Sequence, residues 1–82
     1  MIHDLKIRKR FYWDICTHKK RFEIRKNDRD FKVGDVLRLN VIDAEPGTNP
    51  PKLECKVDYI LYHEDFPDGI MPGYCVMSIS RL

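Results

Sequence analysis

The chain alternates between two hydrophobic periods, and each change of period marks an element boundary. From His3 to Arg8 (HDLKIR), Leu5 and Ile7 alternate with Asp4, Lys6 and Arg8, the pattern of a strand with one buried face. From Lys9 to Lys19 the period lengthens. Phe11, Tyr12, Ile15 and Cys16 fall at i, i+1, i+4 and i+5, one face of a helix of roughly three turns. Trp13 lies off that face, about 130° from its centre at 100° per residue, where it either packs on a neighbouring element or offers a stacking surface. Lys19 and Lys20 close the helix, where cations suit the dipole. The period of two returns at Arg21–Arg25. Phe22 and Ile24 alternate there with Arg21, Glu23 and Arg25, and the apolar pair is expected to face the core.

The rest of the chain repeats the strand pattern between turns. Asn27-Asp28-Arg29-Asp30 predicts a tight polar turn of residues that bond their own backbone, and Val33-Gly34-Asp35 a second turn. Val36–Asp43 places Leu37, Leu39 and Val41 on one face. Ala44–Lys52, with three prolines and Gly47, must be a loop. Leu53–Tyr62 is a long strand with Leu53, Cys55, Val57, Tyr59 and Leu61 expected inward. His63–Pro72 is again a loop. Tyr74–Ser80 ends the pattern with Cys75, Met77 and Ile79 inward. The order is strand, helix, then four strands. One short helix cannot cover both faces of five strands, and no βαβ alternation is present. The pattern therefore predicts a mainly β, α+β domain: a small, largely antiparallel barrel of about five strands with the helix plugging one end or side. Closure would also hide the sheet edges.

Length and composition narrow this further. Eighty-two residues make one domain, 1–82, and a hydrophobic fraction of 43% supports a core. Cys16, Cys55 and Cys75 form neither a CxxC pair nor a metal-ligand cluster, so reduced thiols packed as small hydrophobes are expected, with no metal and no cofactor. The first ten residues are mixed and charged, unlike a signal peptide, and no apolar run reaches the length of a membrane span; a soluble, cytoplasmic protein is expected. The net charge of +2 is unevenly spread. Residues 1–38 hold twelve Lys/Arg against six Asp/Glu, a net of +6, and residues 39–82 hold three against seven, a net of −4. That split suits a side facing a polyanion, or reflects charges that are near in sequence and not in space.

Candidate chemistry is concentrated in one place. The three histidines are scattered, no nucleophile elbow surrounds Ser78 or Ser80, and the four glycines form no phosphate loop. The carboxylate pairs Asp28/Asp30 and Glu64/Asp65 lie in loops, where such pairs are ordinarily solvated. Lys20, Glu23 and Arg25 remain. Arginine offers a rigid fork for phosphate or a base edge, lysine a compact charge, and a glutamate between them can orient the arginine or accept from a base's amino group. A surface ion-pair ladder of little energetic worth is the alternative.

Lys20-Arg21-Phe22-Glu23-Ile24-Arg25 matches the K-x-x-E-x-R core that marks ASCH domains, relatives of the PUA fold. The longer string FEIRKNDRDFKVGDVLRL, with HDLKI before it and GYCVMSI at the end, closely resembles the DUF3850 family of small ASCH-like proteins, common in bacteria and their phages. The motif usually opens with glycine two places before the lysine. Here that place holds His18, so a positive φ there would carry a cost. The resemblance implies a PUA-like β-barrel with a cleft between helix and barrel lined by the motif residues. It implies an RNA or nucleotide ligand, with Lys20 and Arg25 holding phosphate or base, Glu23 reading a base edge or orienting Arg25, and Arg29 and Lys32 extending the basic rim. Some ASCH relatives are instead ribonucleases or amidohydrolases of acylated cytidines, in which case Lys20 and Glu23 are the acid/base candidates. The amidohydrolase branch, however, carries threonine at the place of Glu23, and Glu64 is the nearest counterpart to its distal glutamate. A third reading is a phage or host interaction protein whose charged strand only solvates the surface.

Overall fold

The computed structural model describes residues 1–82. Five strands and one α-helix follow in the expected order: β1 (Ile2–Ile7), α1 (Lys9–Cys16), β2 (Phe22–Lys26), β3 (Val36–Val41), β4 (Leu53–Tyr62) and β5 (Tyr74–Arg81), with a single 3₁₀ turn at His63–Asp65. The strands form one curled sheet, a half-barrel, in the order β1-β3-β4-β5-β2. β1 runs parallel to β3, and every other pair is antiparallel.

The core is the concave side of this sheet closed by α1. Leu5 and Ile7 of β1, Leu37 and Leu39 of β3, Leu53, Cys55 and Val57 of β4, and Cys75, Met77 and Ile79 of β5 all point into it, as the alternation predicts. Tyr12 and Ile15 of α1 join them, and the Tyr12 hydroxyl donates to the Pro51 carbonyl at 2.9 Å, tying the proline-rich loop to the helix. Phe31 reaches the core from the loop after β2, which Asn27 shapes by accepting the Phe31 N–H at 3.1 Å. Cys55 and Cys75 are fully buried, and burial pushes the Cys55 thiol up to about 11. No helix is long and apolar enough to cross a membrane.

Four expectations are corrected. Phe22 and Ile24 are 45% and 60% exposed, whereas Glu23 is 4% exposed, so the faces of β2 are reversed. The cause is the ladder with β5. Glu23 lies opposite Met77 and Arg25 opposite Cys75. Residues directly opposite share a face, so the inward residues of β5 carry Glu23 and Arg25 inward. In β4, Tyr59 is exposed instead of buried, because a bulge at Asp58 shifts the register between Val57 and Tyr59 and brings Ile60 inward. In α1, Phe11 lies at the surface and the helix ends at Cys16, two residues before the left-handed His18. Finally, the barrel does not close: β1 and β2 are both edges of the sheet.

Candidate functional site

The open seam between β1 and β2 creates the principal cleft. Its floor and walls come from the end of β1, the first turn of α1, and β2, with a volume of about 600 Å³. The local sequence delivers the motif to this place through the helix C-terminus. His18 adopts φ 62°, the left-handed conformation suited to the glycine of the related motif, and the N–H groups of Lys19 and Lys20 both donate to the Asp14 carbonyl. The chain is thereby turned back under the helix, and Lys20 is brought beside β2.

Glu23 sits at the centre. One carboxylate oxygen accepts from Lys20 Nζ and the other from Arg25 Nε–H at 2.8 Å. Burying a carboxylate is costly unless it is paired, and the two cations compensate for it here. Neither cation is spent entirely on Glu23. Lys20 Nζ also donates to the Phe22 carbonyl at 2.7 Å, and an Arg25 terminal N–H donates across the seam to the Lys6 carbonyl at 2.9 Å. The Phe11 and Phe22 rings stand over Lys20, with centroids 5.5 and 5.0 Å from its ammonium. The charged floor is therefore flanked by two aromatic faces at the surface. A carboxylate has about four lone-pair sites, so Glu23 retains acceptor capacity beyond its two partners.

The other candidate residues lie elsewhere. Arg29 crosses the same seam below the cleft and donates to the Asp4 carbonyl at 2.9 Å. Lys32 forms an exposed pair with Asp30 at 3.1 Å, beyond Asp35, which bonds His3 at the start of β1. Glu64 lies exposed in the 3₁₀ turn after β4. None of these three lines the cleft. Trp13 is 56% exposed, with its ring edge-on to Tyr12, and does not line the cleft either. Phe11 and Phe22 are contributors that pattern reading assigned to the core. The signal for Phe22 was the motif itself, since an inward Glu23 forces Phe22 outward.

A second buried polar group was not anticipated. His3 Nε2 donates to Asp35 Oδ2 at 2.8 Å, the Lys32 N–H donates to the same oxygen at 3.0 Å, and the Met1 amino group reaches the other at 3.1 Å. The His3 ring also packs edge-on to Phe31 with centroids 4.8 Å apart. Every donor here is supplied by the protein, so this cluster is a structural lock and not an open site. No group of three or more His, Cys, Asp or Glu side chains converges as metal ligands would.

Comparison with known proteins places the chain by family and fold. A crystal structure of the hypothetical protein PH0355 superposes over the full length of both chains with a TM-score of 0.66 at 18% identity, a likeness of fold. No match is found among curated proteins. The family described as a domain of unknown function, DUF3850, matches residues 2–79, and the chain belongs to that family.

Proposed function

We propose that the seam cleft binds the base of an RNA or a nucleotide, making the protein a small binding module. The observation that carries this reading is the buried Glu23 carboxylate on the floor of an open cleft, set between Lys20 and Arg25 and flanked by Phe11 and Phe22. A site for phosphate alone gains nothing from a buried carboxylate. A base edge, by contrast, presents donors and acceptors side by side and needs both kinds of partner. Aromatic faces suit a base as well, each stack contributing about 1–3 kcal/mol. The K-x-x-E-x-R resemblance to ASCH and PUA-like domains, whose relatives typically bind RNA or modified bases, supports the same assignment.

The test is a titration with the four ribonucleoside monophosphates and with short single-stranded homopolymers. Wild-type protein is expected to prefer one base, and Glu23→Gln to change that preference by roughly tenfold, about 1.4 kcal/mol. Phe22→Ala should weaken all bases. Equal binding of every base, unchanged by Glu23→Gln, would reduce the cleft to an electrostatic patch.

Lys20 and Glu23 also lie side by side on the cleft floor, where they are the acid/base candidates of the hydrolase alternative. Turnover of acylated cytidines or RNA that falls roughly 10²–10⁴-fold in Lys20→Ala would move the assignment to that class.

A further inference from the structure

We propose that a second cleft, on the other side of Lys20, receives the phosphate of the ligand whose base occupies the seam cleft; this rests on the reading just given. The second cleft, of about 530 Å³, lies between the α1–β2 turn and β5. Lys20 lines both clefts, so they adjoin at its side chain. A base and its own phosphate require neighbouring sites of this kind, one mixed in polarity and one cationic.

Arg21 and Arg81 supply the charge. Arg21 Nε–H donates to the His18 carbonyl at 3.3 Å, and Arg81 Nη1 donates to the Cys16 carbonyl at 3.1 Å. Both guanidiniums are thus aimed by the carbonyls at the end of α1. Neither takes part in an ion pair, unlike Arg38, which lies between Asp4 and Glu54, or Arg25 on Glu23. Each arginine has five N–H donors and uses one on the protein, leaving a fork for an anion. The backbone at their bases is held together, because Ile79 N–H donates to the Arg21 carbonyl.

β5 completes the site. Ser78 and Ser80, exposed on β5, line the cleft together with Arg81. The single carboxylate there, Asp58, comes from the β4 bulge and accepts the Ser80 hydroxyl at 3.2 Å. With Lys20 already bonded to Glu23, the two unpaired arginines face one carboxylate, and the Arg21/Arg81 side is the side open to an anion. The ligand class this specifies is a phosphorylated nucleoside, free or at a position within RNA, in preference to an unphosphorylated one.

The experiment compares a nucleoside with its 5′- and 3′-monophosphates, using the base preferred by the wild type and inorganic phosphate as a further probe. One monophosphate is expected to bind at least tenfold more tightly than the nucleoside. The double variant Arg21→Gln/Arg81→Gln should abolish that advantage and leave nucleoside affinity unchanged, whereas Glu23→Gln should alter base preference and retain the advantage. If loss of the Cys16 bond prevents the double variant from folding, Arg21→Gln alone, with Arg21→Lys as the charge-retaining control, carries the test. Equal affinity for nucleoside and monophosphates, or an advantage that survives the arginine substitutions, would overturn the phosphate site while leaving the base pocket intact. A phosphate advantage without base selectivity would overturn the base pocket and leave Arg21 and Arg81 as an anion site. No binding of any probe would overturn both.

Discussion

Two buried carboxylates, Glu23 and Asp35, show how burial can serve opposite ends. Asp35 is enclosed by three donors from two segments. Burial alone would raise its pKa, but the hydrogen bonds from His3, the Lys32 N–H and the Met1 amino group outweigh that and hold it down at about 2. A carboxyl whose folded pKa lies below its unfolded value contributes stability above the unfolded value, near 4, and loses it as pH falls through the folded one. The expected contribution is about 2 kcal/mol at neutral pH, lost between about pH 4 and pH 2. Urea denaturation across that range should show the decline in wild type and a much flatter profile in Asp35→Asn; identical profiles would remove Asp35 from the account. Glu23 differs because its surroundings are left open on the cleft side. Neither role was fully legible in the sequence. Alternation in β2 distinguishes two faces without saying which is inside, and the apolar side chains of Phe22 and Ile24 point to the wrong one. His3 and Asp35 are 32 positions apart, and each alone reads as an ordinary polar residue.

At the level of elements, the unclosed seam sets the design. β1 and β2 lie side by side without a ladder, and Arg25 and Arg29 donate instead to the Lys6 and Asp4 carbonyls of β1. These guanidiniums satisfy carbonyls that a closed barrel would pair with N–H groups. The gap they bridge is what gives the cleft its depth. Arg29 thus acts first as a fastening, and Arg29→Ala is expected to destabilise the fold by about 1 kcal/mol, the net worth of one such bond. Lys32→Ala, which loses only an exposed pair with Asp30, should fall within about 0.5 kcal/mol of wild type. Chemical denaturation of both variants decides this, and equal stability would leave the fastening to Arg25 alone. The elements themselves were legible because each changes hydrophobic period and is bounded by turn residues. The bulge in β4 was not. LECKVDYILY alternates through Asp58 without interruption, and the extra residue is defined only by pairing with β5.

Across the whole molecule, the sequence split of +6 against −4 becomes a question of which cations remain free. Lys9 pairs with Glu45, Lys32 with Asp30, and Arg38 with Asp4 and Glu54. The hydrogen bond that Lys32 donates to Asp30 raises the Lys32 pKa, the mark of a cation already engaged. Around the seam cleft, by contrast, Lys6, Arg8, Lys19, Lys20 and Arg25 face only Asp14 and Glu23, an excess of three positive charges. With Arg21 and Arg81 beyond Lys20, an excess of positive charge lines the two adjoining clefts. Single-stranded RNA bound along these clefts should release counterions on binding, so its affinity falls as salt rises. Each phosphate contact contributes about 0.7 to the log–log slope, so two to four contacts give roughly 1.4 to 2.8. Arg8→Gln removes a cation at the mouth of the cleft and should lower the slope by about 0.7, whereas Lys32→Gln should leave it unchanged. A flat salt dependence with the fold intact would exclude phosphate tracking. Equal losses from Arg8→Gln and Lys32→Gln would mean that the polyanion reads net charge and not this face. Unequal losses would show that the position of the cations, and not their number, defines the binding side.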